Sequence, residues 1–528
     1  MKLRHQTGGA VETVGRRRHN GRVLLADIVA ASRAVAATRS RKAKVAALAD
    51  ALGRAAPEEI ETVASYLAGS LRQRRTGLGW RGVSDLPDPA GSPSLEVLEV
   101  HRLFDRIAAL SGAGSQAARK AAVAELFGRA TADEQAWLRG IVTGAVRQGA
   151  LDALLQEAVA AAAGVPLTVV RRSAMLAGST PEVALAALTG GAEALAGFGL
   201  EVGRPVLPML ASSAPDLPAA MTKAGGGEVA VDVKLDGIRI QVHRTGETIR
   251  VVTRSLDDIT ARLPEVVEVA GGVAATSFVL DGEAIALDAD GRPRPFQETA
   301  SRTAMGSGVE VTPYFFDVLH VDGADLLDSP GHERAAALEA LVPEANRVPR
   351  LVTDDTDAAS RFLDEALAAG HEGVVVKNLA AAYDAGRRGS AWVKVKPVHT
   401  LDLVVLAVEW GSGRREGWLS NIHLGARDPE SDGFVMLGKT FKGMTDEMLI
   451  WQTERFTELA VSPDTIRDNY VVELRPEQVV EIAFDGLQRS SRYPGGVALR
   501  FARVVRYRHD KTPDQADTID QVREHIVP

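Results

Sequence analysis

Residues 229–244 read VAVDVKLDGIRIQVHR, and their centre sets a lysine, an aspartate, a glycine and an arginine within six positions, Lys234-Leu-Asp236-Gly237-Ile-Arg239. A lysine at the rim of a buried sheet is partly desolvated, and cationic neighbours then lower its pKa towards a usable amine. Asp236 adds an acceptor and Arg239 a fork whose geometry suits a phosphate. That set fits covalent catalysis in which a lysine amine attacks phosphorus. The plainer reading is a hairpin with a surface lysine and an ordinary Asp–Arg pair.

The residues that follow extend the chemistry. Thr253-Arg254-Ser255 closes the next strand-like run and brings a second cation. FVLDGEAIALD is expected to fold as strand–turn–strand around Asp281-Gly282-Glu283, offering the Glu283 carboxylate to a ribose hydroxyl or a hard metal ion. VTPYFFDVLHVDG sets Phe315 and Phe316 on opposite faces of a strand, one for the core and the other to stack on a base. HEGVVVKNL puts Glu372 at the mouth of a buried strand, a second candidate metal carboxylate. SAWVKVKP places Lys394 and Lys396 on one face, after Arg387-Arg388 in a Gly-rich loop. Two lysines facing the same way repel unless an anion lies between them, and a phosphate is the expected anion. Singly, each motif is commoner as a structural feature. Together they supply a nucleophile, two metal carboxylates, a stacking ring and several phosphate cations, the inventory for nucleotidyl transfer.

Period-two alternation on either side of Gly237 predicts two strands with a bend between them. Residues 201–397 carry strand and hairpin signals interrupted by helical runs near 333–341 and 357–369, an α+β domain. Its first part, 200–227, is rich in Pro, Ser and Gly and reads as a linker or a loop-rich entry. Residues 23–200 place apolar side chains at i, i+3, i+4 and i+7 almost throughout, predicting an all-α domain. Its basic clusters, Arg39-Ser-Arg41-Lys42-Ala-Lys44, Arg72-Gln-Arg74-Arg75 and Arg139 to Arg147, suit a DNA backbone, with several beside glycines whose amides can approach phosphate. Residues 398–528 carry short strands with Gly turns and are sized for a small β-barrel. Residues 1–22, with Arg16-Arg17-Arg18 and no periodicity, are expected to be a disordered basic extension. Gly433-FVML-Gly438-Lys439-Thr440 matches a P-loop expression, yet its four variable residues read as strand, so we expect no phosphate loop there.

Composition bounds the rest. The 528 residues include no cysteine, which excludes disulfides, Cys-ligated zinc and iron–sulfur clusters. No apolar run reaches ~18 residues and nothing reads as a signal peptide, so a cytoplasmic protein without membrane contact is expected. The net charge of −8 alone argues against a nucleic-acid partner, but the basic patches argue for one.

From residue 23 onward the order of these motifs resembles that of the ATP-dependent DNA ligases of the archaeal-like three-domain type, within the covalent nucleotidyltransferases. The resemblance implies a helical DNA-binding domain, a nucleotidyltransferase domain and a C-terminal OB-fold. It implies Lys234 as the adenylated residue and Arg239 and Arg254 as contacts to AMP or to the nick phosphate. Glu283 and Glu372 become ribose and metal ligands, Phe316 the adenine stack, and Arg388, Lys394 and Lys396 phosphate contacts. Asp232 stands where the family usually has a glutamate that reads the adenine amino group. The terminal RFARVVRYRHDKTPDQADT matches the family's last motif, with Arg503, Arg506, Arg508, Asp510 and Lys511 as its polar positions and Arg503 and Lys511 implied at the nucleotide. The implied substrates are ATP and nicked duplex DNA, with Mg²⁺ as cofactor, a monomeric enzyme and a nucleoid-associated location. A GTP-using capping-type enzyme, an RNA ligase or a non-catalytic DNA-binding scaffold share parts of the pattern. An NAD-dependent ligase fits poorly, because that family carries a Cys-rich zinc module.

Overall fold

A computed structural model describes residues 22–73, 75–146, 152–306, 308–385, 388–412, 415–431 and 433–525. Of the expected extension over 1–22, residues 1–21 lie outside them, as do Arg74, Arg147 and Arg387. The described chain forms two compact units, one running to Pro208 and including Asp384 and Ala385, the other holding Met209–Tyr383 and the chain from Arg388 onward.

The first unit is helical, as its periodicity predicts. Its helices are α1 (Leu25–Ala37), α2 (Arg41–Leu52), α3 (Ile60–Leu67), α4 (Val97–Ala109), α5 (Ser115–Gly128), α6 (Ala132–Val142), α7 (Asp152–Ala163), α8 (Leu167–Ala177) and α9 (Thr180–Ala196). Helix α4 shows why: Val97, Val100, Leu103, Phe104 and Ile107 recur at helical spacing and are all buried. Thr131 and Glu134 form a reciprocal capping box that fixes the start of α6. Part of the expected basic surface is neutralised within the unit. Arg41 reaches Glu157 at 2.6 Å and Arg72 pairs with Glu61, whereas Lys42 and Lys120 are exposed.

The second unit begins with β1 (Leu210–Ser213) and α10 (Leu217–Lys223), so the Pro- and Gly-rich entry contains regular structure that composition hid. There follow β2 (Val229–Lys234), β3 (Ile238–Thr245), β4 (Thr248–Thr253), α11 (Pro264–Gly271), β5 (Ser277–Ile285), α12 (Phe296–Met305), β6 (Thr312–Val321), β7 (Ala324–Asp325) and α13 (Gly331–Leu341). Then come β8 (Arg350–Thr353), α14 (Thr356–Ala368), β9 (Gly373–Asn378) and β10 (Arg388–Val395). These strands build two five-stranded sheets, ordered β1-β10-β9-β2-β8 and β4-β3-β5-β6-β7. The lysine motif is the crossing between them: β2 ends at Lys234 in the first sheet and β3 starts at Ile238 in the second. Val229, Val231 and Val233 face the core of the first sheet, which leaves Ala230, Asp232 and Lys234 on the opposite face.

Asp281-Gly282-Glu283 lies inside one continuous strand, β5, rather than in a turn. The glycine serves a close approach of strands: a Cβ on Gly282 would stand 2.7 Å from Tyr314 O and 2.8 Å from Phe315 Cδ1. A register shift against β6 falls at that point.

The OB-fold domain carries β11 (His399–Trp410), β12 (Leu419–Asp428), β13 (Gly433–Thr440), α15 (Asp446–Leu459), β14 (Val471–Glu473), β15 (Val479–Phe484), β16 (Gly486–Arg489), β17 (Val497–Arg500), β18 (Arg503–Arg508) and α16 (Ile519–Arg523). Its main ladder runs β13-β12-β11-β15-β18, with β14 also on β11. The P-loop lookalike is strand β13, and its Lys439 pairs with Glu409.

Gly237 is the tightest point of the crossing, since a Cβ there would stand 2.3 Å from Ala284 O and 2.4 Å from Ile285 Cγ2. Gly237→Ala should therefore destabilise this unit by about 3 kcal/mol, because backbone rather than a flexible side chain has to move. Urea unfolding of the variant beside the parent protein measures it.

Candidate active site

Lys234 projects from the end of β2 into a cleft of about 1010 Å³ lined by both sheets and by the OB-fold domain. Its ammonium rests on one oxygen of Glu372, and the other oxygen accepts from Lys396 at 3.1 Å. Lys396 also pairs with Asp485, which accepts from Arg503 at 2.9 Å. Of the two strand lysines, Lys396 is thus paired with protein carboxylates. Desolvation alone would raise the Glu372 carboxyl, but Lys234 and Lys396 outweigh it and hold the group below its ordinary value.

Asp236 and Arg239 do not pair with each other. Arg239 donates to both oxygens of Asp281, at 3.0 and 2.6 Å, and to Met209 O at 2.6 Å. Its fork is occupied by a buried carboxylate and helps to wall the cleft. Asp236 receives Arg500 of the OB-fold domain at 2.7 Å, and that guanidinium also lies 5.1 Å from the Phe296 ring centroid. Glu283 accepts from Gly237 N at 3.2 Å and faces the cleft. Burial pushes its carboxyl up to about 7 against the opposing pull of Lys234 and Arg239.

At the closed end, Phe316 lines the cleft while Phe315 is fully buried in the core, which matches the opposite faces read from β6. Asp232 is buried and forked by Arg350, at 2.5 and 2.8 Å, with Lys377 at 2.7 Å. Arg254 lines the mouth and is exposed. Lys394 lines the wall. The side chain of Arg388 lies outside the described residues. Lys511 is held by Asp402 at 2.6 Å and is not part of the lining, so of the two tail cations expected at the nucleotide only Arg503 faces the cleft.

Sequence reasoning missed Lys377, Trp392, Arg350, Asp485, Arg500 and Phe501. For Lys377 a signal existed, since it shares a strand face with Val375 in HEGVVVKNL. Asp485 carries no local signature, whereas Arg500 and Phe501 open the terminal motif RFARVVRYRHDKTPDQADT, and all three reach the cleft only through the OB-fold domain's folding.

A lysine amine beside two carboxylates, an aromatic wall and a cationic rim, at the crossing of two antiparallel-rich sheets, defines a covalent nucleotidyltransferase. Three family models match in succession: DNA ligase N terminus over residues 83–160, ATP dependent DNA ligase domain over 208–396, and ATP dependent DNA ligase C terminal region over 415–511. A probable DNA ligase of Nocardioides sp. is 72% identical over 512 residues, spanning 96% of this chain and 100% of that one. A probable DNA ligase of Kineococcus radiotolerans is 68% identical, spanning 95% and 99%. Among solved structures, Pmar-Lig_PreS3 shares the fold at a TM-score of 0.59 with 17% identity, over 91% of this chain and 99% of that one. The chain belongs to the ATP-dependent DNA ligases, enzymes that seal nicks in DNA.

Glu283 is raised from an ordinary 4.5 to about 7, so folding favours its protonated form. The stabilisation from that proton is complete below pH 4.5 and is lost as pH rises through 7, where the carboxylate must be buried ionised. Glu283→Gln should accordingly gain about 2 kcal/mol over the parent at pH 8 and almost nothing at pH 4, while losing activity. Thermal unfolding at the two pH values measures the difference.

Proposed function

We propose that the protein seals 3′-hydroxyl/5′-phosphate nicks in duplex DNA through an AMP carried on Lys234. The observation that carries this is the Lys234 ammonium anchored on Glu372 in a cleft that also presents Glu283, Phe316 and the OB-fold cations. In the first step the deprotonated Lys234 Nζ attacks the α-phosphorus of ATP. An N–P bond forms, the bond to the β-phosphate oxygen breaks, and pyrophosphate leaves. In the second, an oxygen of the 5′-phosphate at the nick attacks the same phosphorus and Lys234 departs, taking back a proton. In the third, the 3′-hydroxyl attacks the 5′-phosphorus and AMP leaves with the bonding pair.

The chain's own groups serve these steps by position and charge. Phe316 offers a ring face to the base, Glu283 faces the ribose, and Lys394, Lys396 and Arg254 offset phosphate charge. Arg388 is assigned with them from its place at the head of β10. Mg²⁺ is usually bound by one or two carboxylates with substrate phosphates and water, and Glu283 and Glu372 fit that donor set. Bound there, the ion would neutralise phosphate charge. Arg503 and Arg500 reach the cleft from the OB-fold domain, which supports a closed arrangement for the ATP step and a reopening for DNA. Exposed basic residues of the helical unit, Lys42 and Lys120 among them, support its role on the DNA backbone. We infer a monomer as well, and the DNA substrate supports a cytoplasmic, nucleoid-associated location in replication, repair or recombination.

Lys234→Ala should abolish covalent labelling by α-³²P-ATP while leaving the unfolding transition in place, and persistent labelling would remove Lys234 from the mechanism. Arg503→Ala should slow labelling by at least about tenfold, as loss of a charged contact to a departing phosphate does, whereas Lys511→Ala should slow it less. Sealing of a nick supplied already adenylated should be spared in both, because no pyrophosphate leaves. Rates of the two reactions on one preparation decide it.

A further inference from the structure

The closed end of the cleft holds an arrangement that the three steps above do not use. Lys377 stands on the cleft face of β9, opposite Ala230 in the ladder, while its neighbour Val375 stands opposite Asp232. Its ammonium lies 4.6 Å from the Phe316 ring centroid and 4.4 Å from that of Trp392, and the two rings meet edge to face at 5.8 Å. One N–H goes to Asp232 at 2.7 Å and another to Phe316 O at 3.3 Å. An ammonium has three N–H donors, so one remains. Asp232 accepts from Arg350 on both oxygens and from Lys377 on one, which leaves one of about four acceptor positions on the carboxylate. Asp232 and Lys377 both line the cleft, whereas Arg350 does not and braces the carboxylate from behind.

The closed end thus presents a donor beside an acceptor, both nearly shut off from water: the Lys377 side chain is 9% exposed and that of Asp232 is 3%. An adenine edge carries the complementary pair, a ring nitrogen that accepts next to an exocyclic amino group that donates. A 6-oxopurine carries the reverse, a ring N–H next to a carbonyl oxygen. We propose that Lys377 is a specificity-determining residue of the nucleotide site, donating to the ring nitrogen N1 of the adenine while Asp232 accepts from its amino group. This rests on the assignment of the cleft as the ATP site with Phe316 against the base. The buried pair also accounts for an aspartate at this position. Arg350 and Lys377 hold the shorter carboxylate at full charge; desolvation would raise it, and the two cations together keep it below its ordinary value.

The test uses the whole protein and follows covalent labelling of Lys234 by ATP, by 1-deaza-ATP, in which the N1 acceptor is replaced by a C–H, and by ITP. The parent protein should lose roughly 10- to 100-fold in kcat/KM with 1-deaza-ATP, the range of one hydrogen bond to a charged group, and more with ITP, which clashes with both groups. Lys377→Met should lose a comparable factor with ATP, mostly in KM, and should no longer distinguish ATP from 1-deaza-ATP. Equal use of the two nucleotides by the parent overturns the proposal without any variant. A Lys377→Met protein that is slowed but keeps the parent's ATP/1-deaza-ATP ratio overturns it too, since Lys377 would then merely brace Asp232. Absence of any labelling of the parent by ATP is a separate result and overturns the underlying assignment of the cleft.

Discussion

The missing side chain at Gly237 is the constraint on which the site depends. The chain leaves the first sheet at Lys234 and enters the second at Ile238, and there is no room for a Cβ between them, with Ala284 O only 2.3 Å from where one would be. Because the crossing is that tight, Lys234 and Glu283 come from different sheets yet face one cleft, and the Gly237 amide itself donates to Glu283. A looser turn would let the two sheets part, and the amine and the carboxylates would lose their common space.

Around that crossing the charges are arranged in alternation. Lys234, Lys396 and Arg503 are threaded on Glu372 and Asp485, and Arg500 closes on Asp236. A cluster of cations in a low-dielectric cleft is costly unless anions neutralise it. The carboxylates Glu372 and Asp485 supply those anions within the chain. In the proposed reaction the same arrangement keeps the cations stable before any phosphate arrives, with Lys234 among them.

The OB-fold domain is part of this balance as well as a cover. Asp485 and Arg503 flank β16–β17, and Arg500 ends β17, so these three side chains come from one region of that domain, and Lys442, after β13, lines the cleft with them. Lys511 and Arg508 are instead gathered on Asp402, at 2.6 and 2.8 Å, in the same domain's own sheet. The terminal basic motif is thus divided between a part that faces the cleft and a part that is anchored away from it.

Much of this was legible in the chain because it is local. Period-two alternation around Gly237 gave β2 and β3, helical spacing gave the first unit, and the opposite faces of Phe315 and Phe316 follow from the pleat of one strand. The types and order of Lys234, Glu283, Glu372 and Lys396 were enough to name the chemistry, since few other reactions need an amine, carboxylates and phosphate cations together. What the sequence could not carry was the choice of partner. Asp236 and Arg239, three residues apart, each bond to a residue far along the chain, Arg500 and Asp281. Asp281-Gly282-Glu283 looked like a turn and is a strand, because what its glycine answers to is Tyr314 and Phe315 across the sheet. Lys377 drew no reading from the sequence and is buried against two rings and an aspartate. Side-chain pairing and burial depend on contacts between segments tens to hundreds of residues apart, and those exist only once both sheets and the OB-fold domain have folded.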